Sequence, residues 1–197
     1  MKKWLIPIIL LVALAFWLFT AGTGFYNTAV KYKNKAEAQW SNVESAYQRR
    51  ADLIPNLVST VKGYAAHEKE TLEGVIKARS EATKTTIDAG DLTPEKMAAF
   101  QKAQDGLSGA LSKLMVVVER YPDLKANQNF LELQSQLEGT ENRIKVERDR
   151  FNEQVNIYKD HLEQFPGVLF NLLFKFKDMG FFEASEGAET VPVVDFE

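Results

Sequence analysis

Apolar positions along this chain follow two regimes. From Trp4 to about Gly24, in "MKKWLIPIILLVALAFWLFTAGTGF", apolar residues run on with no charge between Lys3 and Lys31. That length matches the ~20 residues a membrane-spanning helix needs. From Tyr26 onward the apolar residues thin to a three-four alternation, the repeat of one helix face. Trp40, Val43, Tyr47, Arg50, Ile54, Leu57, Val61, Tyr64 and Glu68 form the first stripe, whose spacing extends to Leu72, Val75, Ile76 and Arg79. The polar stretch "TKTTIDAGDLTPEK" interrupts it. There Gly90 predicts a helix stop, and Thr93 with Pro94 an N-cap and first helical residue.

A second stripe comprises Met97, Phe100, Gln104, Leu107, Leu111, Leu114, Val118 and Tyr121. Gly106 and Gly109 near its middle cost about 1 kcal/mol each in helix propensity and predict a close helix approach. Pro122 in "RYPD" disfavours helical geometry at Tyr121 and marks the next break. The third stripe is the most regular: Phe130, Leu133, Leu137, Thr140, Ile144, Arg148, Phe151, Val155, Tyr158, Leu162 and Phe165. It predicts a helix of about 40 residues from Asp123 to Pro166, ~60 Å long. Strand signals are nearly absent before the tail. The pattern predicts an all-α fold, an N-terminal transmembrane helix followed by an antiparallel up-and-down bundle of three or four long helices. A long parallel coiled coil is the alternative, against which the breaks at Gly90 and Pro122 speak.

These regimes divide the chain into an anchor (1–25), a bundle (26–165), an apolar Phe-rich segment (166–182) and an acidic flexible tail (183–197). In the anchor, Trp4, Trp17, Phe25 and Tyr26 suit interface depth. Pro7 falls in the first turns, where its missing N–H costs little. A cleaved signal peptide is the rival, but the apolar run is long for one and Thr20-Ala21-Gly22 is a weak cleavage site. Lys2 and Lys3 before the span, with Lys31, Lys33 and Lys35 after it, leave the orientation open. The segment "PGVLFNLLFKFKDMGFF" has two readings: a helix in the membrane interface or against another subunit, or a fifth helix completing the core. Phe170, Phe174 and Phe181 are its candidate contact residues. In the tail, "VPVVDF" has the composition to add as a strand to a partner's edge.

Charge and composition narrow the chemistry. The 197 residues carry a formal net charge of −3, so no global basic field points to nucleic acid. With no cysteine, disulfides, thiol catalysis and cysteine metal sites are excluded. The stretch "QRRADLIPNLVSTVKGYAAHE" invites a catalytic reading through His67-Glu68. A metalloprotease helix needs a second histidine four residues on, and position 71 is Thr. His161 is distant in sequence, to be brought near only by antiparallel packing. Phosphate loops, nucleophile elbows and dinucleotide fingerprints are missing from the chain. No catalytic residue, metal ligand or cofactor is therefore assigned.

The same stretch reads better as a packing surface. Arg50 and Glu68 fall on the first stripe, Thr140 and Arg148 on the last. Polar residues at such seams cost stability but can fix register. Arg49, Arg50 and Asp52 are expected to meet Glu141, Arg148 or Asp149 as an ionic layer. Pro55 predicts a kink near Asp52, with Asn56 helping to satisfy the freed carbonyl. Gly63 and Ala65-Ala66 thin the helix where a neighbour could approach.

On these residues the chain resembles the LemA family of bacterial membrane-anchored proteins. The likeness rests on "WSNVESAYQRRADLIPNLVSTVKGYAAHE", "LEGVIKARSEA", "RYPDLKANQNFLELQSQLEGTENRIKVERDRFNEQVNIYK" and "GFFEASE", with mild departures at Phe151-Asn152 and Tyr158-Lys159. It implies an N-terminal span, an antiparallel helical bundle and no established reaction. The leading expectation is a non-enzymatic, single-pass scaffolding protein of the bacterial inner membrane. Its partners are the lipid bilayer and further copies of itself, as a homo-oligomer, and its bundle lies on a side left open. Removing Gly167–Phe182 is then expected to weaken assembly without unfolding the bundle. The alternative is an adaptor that recruits a membrane protease or an envelope-stress factor as protein partner, through the tail or the 48–68 face. The third reading is a metal protein or enzyme using His67, Glu68 and His161.

Overall fold

A computed structural model describes residues 5–183. Trp4, most of the acidic tail and its "VPVVDF" stretch lie outside the described residues. The first helix, α1, runs from Leu5 to Tyr64 without interruption, about 90 Å at 1.5 Å per residue. Every residue from Leu5 to Thr20 is exposed. Beyond them burial becomes periodic, through Gly22, Phe25, Ala29, Ala36, Trp40 and Val43. The all-round apolar stretch and the one-sided stripe are thus two parts of one helix, and the first is long and apolar enough to cross a membrane.

Four more helices and a short turn follow. They are α2 (Lys69–Lys84), α3 (Pro94–Val118), the single turn α4 (Pro122–Lys125), α5 (Gln128–Glu163) and α6 (Gly167–Phe174). Helix α5 lies antiparallel to α1, since Phe25 stacks on His161 at one end, Trp40 meets Phe151 midway, and Asn127 bonds Tyr64 at the other. Helix α2 descends and α3 rises again: Arg79 reaches Ala51, Gln104 reaches Ala82, and Tyr121 meets Glu68. The result is an up-down-up-down bundle of α1, α2, α3 and α5, as the spacing predicts.

Boundaries differ from the sequence reading in three places, each for a local reason. The first stripe does not continue as one helix through Glu68 to Arg79; the chain reverses at Ala65–Glu68. A continued helix would carry Leu72 and Val75 into water, whereas reversal buries both against the neighbouring helices. The third stripe starts at Gln128, because Asn127 takes an extended conformation and its side chain caps the N–H of Phe130 at 3.0 Å. In the interhelical linker, α2 ends at Lys84, before Gly90, among the β-branched Thr83, Thr85, Thr86 and Ile87. Ile87 and Leu92 of that linker are buried in the core. Thr93 and Pro94 do start α3, with the Thr93 hydroxyl accepting from the Lys96 N–H.

The interior comprises two clusters along the bundle. One surrounds Trp40, Phe100 and Phe151, toward the end nearer the span. The other surrounds Leu57, Leu107 and Phe130, toward the far end. Between them lie the buried polar residues Arg50, Gln104 and Thr140.

The Phe-rich segment is neither one helix nor one surface. Helix α6 packs on α1 through Phe170 and Phe174, while Leu169, Leu172 and Leu173 remain exposed. Lys175 then takes a left-handed conformation (φ 52°), and residues 176–183 run as an extended strap along the bundle. Met179 and Phe182 of the strap are buried. Gly180 fits because its Cα passes so close to α3 that a Cβ would lie 2.7 Å from the Pro94 Cα.

Candidate functional site

The middle of the bundle holds the ionic layer expected from the stripe, in a smaller form. Arg50 is 1% exposed. Its guanidinium donates to Glu141 Oε1 at 2.8 Å, to the Ser108 hydroxyl at 2.8 Å and to Gln104 Oε1 at 2.7 Å. Gln104 in turn donates to the Ala82 carbonyl at 3.2 Å. One arginine therefore links α1 to α3 and α5 directly, and to α2 through Gln104. The Arg50 guanidinium also lies 5.1 Å from the centre of the Tyr47 ring. Burial pushes the Tyr47 hydroxyl above its ordinary pKa, opposed by the charges of Arg148 and Arg50.

Arg49 and Asp52 do not join this layer. Both are exposed, on the outer side of α1, and Asp52 accepts from Gln48 at 2.7 Å. Arg148 lies over the Phe182 ring at 4.5 Å and donates to the Glu183 carbonyl. Asp149 is exposed. A buried acid, Glu147, is bound by Gln39 at 2.7 Å and by Arg150 at 3.4 Å, and its burial carries no signal in the sequence.

Pro55 stays inside α1, and the carbonyl it frees finds a partner other than Asn56. A proline at 55 leaves the carbonyl of Ala51 without its helical donor. Arg79 of α2 supplies one, its Nε donating to Ala51 O at 2.7 Å. Asn56 is exposed. Gly63 and Ala66 are exposed with no neighbour closing on Gly63, and Gly106 and Gly109 likewise have open space where a Cβ would stand. Those glycines do not mediate close approach within the chain.

At the far tip, "GYAAHE" meets "RYPDLKANQ". Glu68 accepts from Arg120 at 3.0 Å and from the Tyr121 hydroxyl at 2.9 Å. Accepting that hydroxyl bond, Glu68 raises the pKa of Tyr121. His67 is exposed at this tip. His161 sits at the opposite end, its Nε2 3.1 Å from the Phe25 carbonyl and its ring stacked on Phe25 at 4.6 Å. The two histidines are separated by most of the bundle, so the antiparallel packing does not bring them together. Among the described residues no group of three His, Cys, Asp or Glu is placed to hold a metal ion.

At the end nearer the candidate span, Phe25 is buried in an aromatic cluster with Phe170 (5.5 Å) and Phe174 (6.2 Å). Tyr26 is 45% exposed and meets Phe174 edge-on, and Trp17 is exposed on the candidate span. Gly167 lets α6 start here, since a Cβ would run into the His161 carbonyl. Phe181 is partly exposed with Lys159 over its ring at 5.0 Å, and its neighbour Phe182 is the residue that enters the core. Phe182 is held by its backbone: Asn152 donates to its carbonyl and accepts from its N–H, each at 2.9 Å. Gln101 makes the same pair of bonds with Glu183 at 3.1 Å. Phe165, which three-four spacing puts at the end of the third stripe, lies beyond the end of α5 and is 81% exposed, because the helix stops at Glu163 ahead of Pro166. Phe182 lies on no stripe, and Gln101 carried no sequence signal.

Comparison with known proteins fits this architecture. Residues 39–196 match the model of the LemA family. The chain belongs to the LemA family. It is similar to magnetosome protein MamQ of Magnetospirillum gryphiswaldense, 26% identical over 190 residues, covering 86% of this chain and 68% of that protein. Magnetosome protein MamQ 2 of Paramagnetospirillum magneticum is similar to the same extent. Protein LemA of Metamycoplasma hominis is 26% identical over 136 residues, covering 66% of this chain and 58% of that protein. With its apolar N-terminal helix, this LemA-family chain is a membrane-associated protein.

Proposed function

We propose that this LemA-family chain is a non-enzymatic scaffold, held in the bacterial inner membrane by one uncleaved span and assembling through its bundle. The observation that carries the reading is the continuity of α1. One helix is both the candidate span and the member of the bundle that contacts α2, α5 and α6, with no linker between the two roles. A bundle so joined is held at a defined angle to the bilayer, as a scaffold requires. Helix α6 supports the uncleaved anchor. Phe170 lies 3.5 Å from where a Gly22 Cβ would stand, so the candidate cleavage site falls inside the continuous helical stretch on which α6 packs. The outward face of α6, with Leu172 and Leu173 more than 70% exposed, sits level with the end of the span and suits the membrane interface.

Self-association is supported by an open trough of about 830 Å³ between α2 and α3, floored by Gly74, Ala78, Ala103, Gly106 and Gly109. The test is electron microscopy of full-length protein extracted in mild detergent. Large ordered particles are expected. At Gly106 and Gly109 a Cβ would stand in open space, so Gly106→Leu with Gly109→Leu directs side chains into the trough and is expected to retain the helical bundle while reducing the particles to single bundles. Single bundles from the unsubstituted protein would overturn the scaffold reading, and a stoichiometric co-purifying protein would put an adaptor in its place. Deleting Gly167–Phe182 is not a usable test, because it removes Met179 and Phe182 from the core.

A further inference from the structure

A cleft of about 470 Å³ opens beside α6 where α1 leaves the span. Tyr26, Phe174 and Phe176 give it an aromatic side, and Lys33, Lys175 and Lys177 a basic one. Two carboxylates also line it, but both are engaged: Asp178 with Lys159 at 2.9 Å, and Asp91 with Lys96. Lys33 is paired with Glu37 at 3.2 Å. Lys175 and Lys177 have no carboxylate partner among the described residues.

Their placement is set by the fold. Lys175 directly follows Phe174, whose ring packs on Tyr26 at 5.3 Å, two residues past Gly24. That is headgroup depth if Leu5–Gly24 fills the hydrocarbon layer. The strap is pinned where the lysines project, by the Tyr158 hydroxyl donating to the Lys177 carbonyl at 2.9 Å. Lys175 also occupies a left-handed backbone position that glycine would adopt at lower cost.

We propose that this cleft binds the phosphate headgroup of an anionic phospholipid from the bilayer that holds α1, with an acyl chain lying along α6. The inference rests on the reading of α6 as an interfacial helix and adds a lipid preference to it. Two cations with no salt-bridge partner among the described residues, beside aromatic rings and continuous with the candidate span, match a phosphodiester above a hydrocarbon chain in charge and in polarity.

The test uses full-length protein in mixed vesicles of phosphatidylcholine and phosphatidylglycerol. Leu172→Trp supplies a reporter on the exposed face of α6, with Trp4→Phe and Trp17→Phe removing the span tryptophans. Bromine is placed on the acyl chains of one lipid or the other. Brominated phosphatidylglycerol is expected to quench beyond its share of the mixture, with enrichment of about five-fold per lysine. Lys175→Gln with Lys177→Gln is expected to abolish the preference and leave the quenching. Lys31→Gln with Lys35→Gln removes equal charge outside the cleft and is expected to leave both. Equal quenching by the two lipids, or equal loss of preference in both double variants, would overturn the site. Loss of the preference to inorganic phosphate at matched ionic strength would show that the cleft reads free phosphate, overturning the lipid assignment. No quenching by either lipid would instead sink the interfacial reading of α6, and the site with it.

Discussion

Arg50 shows how a single residue in an apolar stripe can be read correctly as to position and incompletely as to partners. Its place on the buried face follows from three-four spacing, and a carboxylate partner from the antiparallel alignment of α1 and α5. The Glu141 bond is there, but Gln104 is the fully buried partner, whereas the Glu141 side chain is 45% exposed. Removing Arg50 therefore strands a buried amide more than a buried charge. Arg50→Met is expected to cost about 2 kcal/mol in urea unfolding followed by circular dichroism, the penalty of an unsatisfied buried acceptor. Adding Gln104→Leu should recover only part of that loss, because it removes the stranded amide oxygen but also the donor to the Ala82 carbonyl. Glu141→Gln, being half in water, should cost well under half as much; the reverse order would show that the charge pair dominates. Arg79 makes the complementary point. Pro55 announces a freed carbonyl at Ala51, but only the return of α2 decides which donor reaches it. Arg79→Met should destabilise by about 1–2 kcal/mol beside Pro55, and by clearly less in a Pro55→Ala chain, where the backbone N–H returns. A double-mutant cycle with no coupling would remove Arg79 from that role.

Elements were legible where one face of a regular helix is buried, and illegible where burial stops being periodic. The stripes of α1, α3 and α5 read directly, as did the Thr93-Pro94 start of α3. The Phe-rich segment did not, because its first half is a helix with an outward apolar face and its second half is an extended strap held by side chains of α3 and α5. Phe181 and Phe182 are adjacent and chemically identical. Strand-like alternation sends the second into a pocket of Trp40, Tyr47, Phe100 and Phe151, and the first toward solvent. Phe182→Ala should cost about 3–5 kcal/mol, the range for truncating a buried aromatic. Phe181→Ala should cost under about 1 kcal/mol. Thermal melts of the two variants check this, and equal melting temperatures would mean that the strap does not complete the core.

At the scale of the whole molecule, two apolar clusters are joined through a polar layer, and the strap ties α6 to the bundle through Tyr158. Burial, aided by the charges of Asp178 and Glu37, raises the Tyr158 pKa to about 12. The neutral phenol is thus favoured in the folded state. Above about pH 10 an unfolded tyrosine loses its proton while the folded one keeps it, so the unfolded state binds fewer protons and stability falls with rising pH. The fall attributable to Tyr158 is expected between about pH 10 and about 12, and to become shallower in Tyr158→Phe. Unfolding titrations across that range check it, and an unchanged slope would assign the alkaline loss to other groups.

The amino-acid sequence by itself determined the candidate span, the helical class and the apolar faces, because these depend on local composition and on a 3.6-residue period that needs no knowledge of neighbours. It also determined the caps at Thr93 and the break at Pro122, which are consequences of backbone chemistry within a few residues. Only the tertiary structure decided that α1 is continuous from candidate span to bundle, that Arg79 serves Ala51, that His67 and His161 lie at opposite ends, and that Phe182 completes the core. Each of these pairs residues far apart along the chain. Such pairings depend on where helices reverse and how they align in space, and no local pattern carries that information.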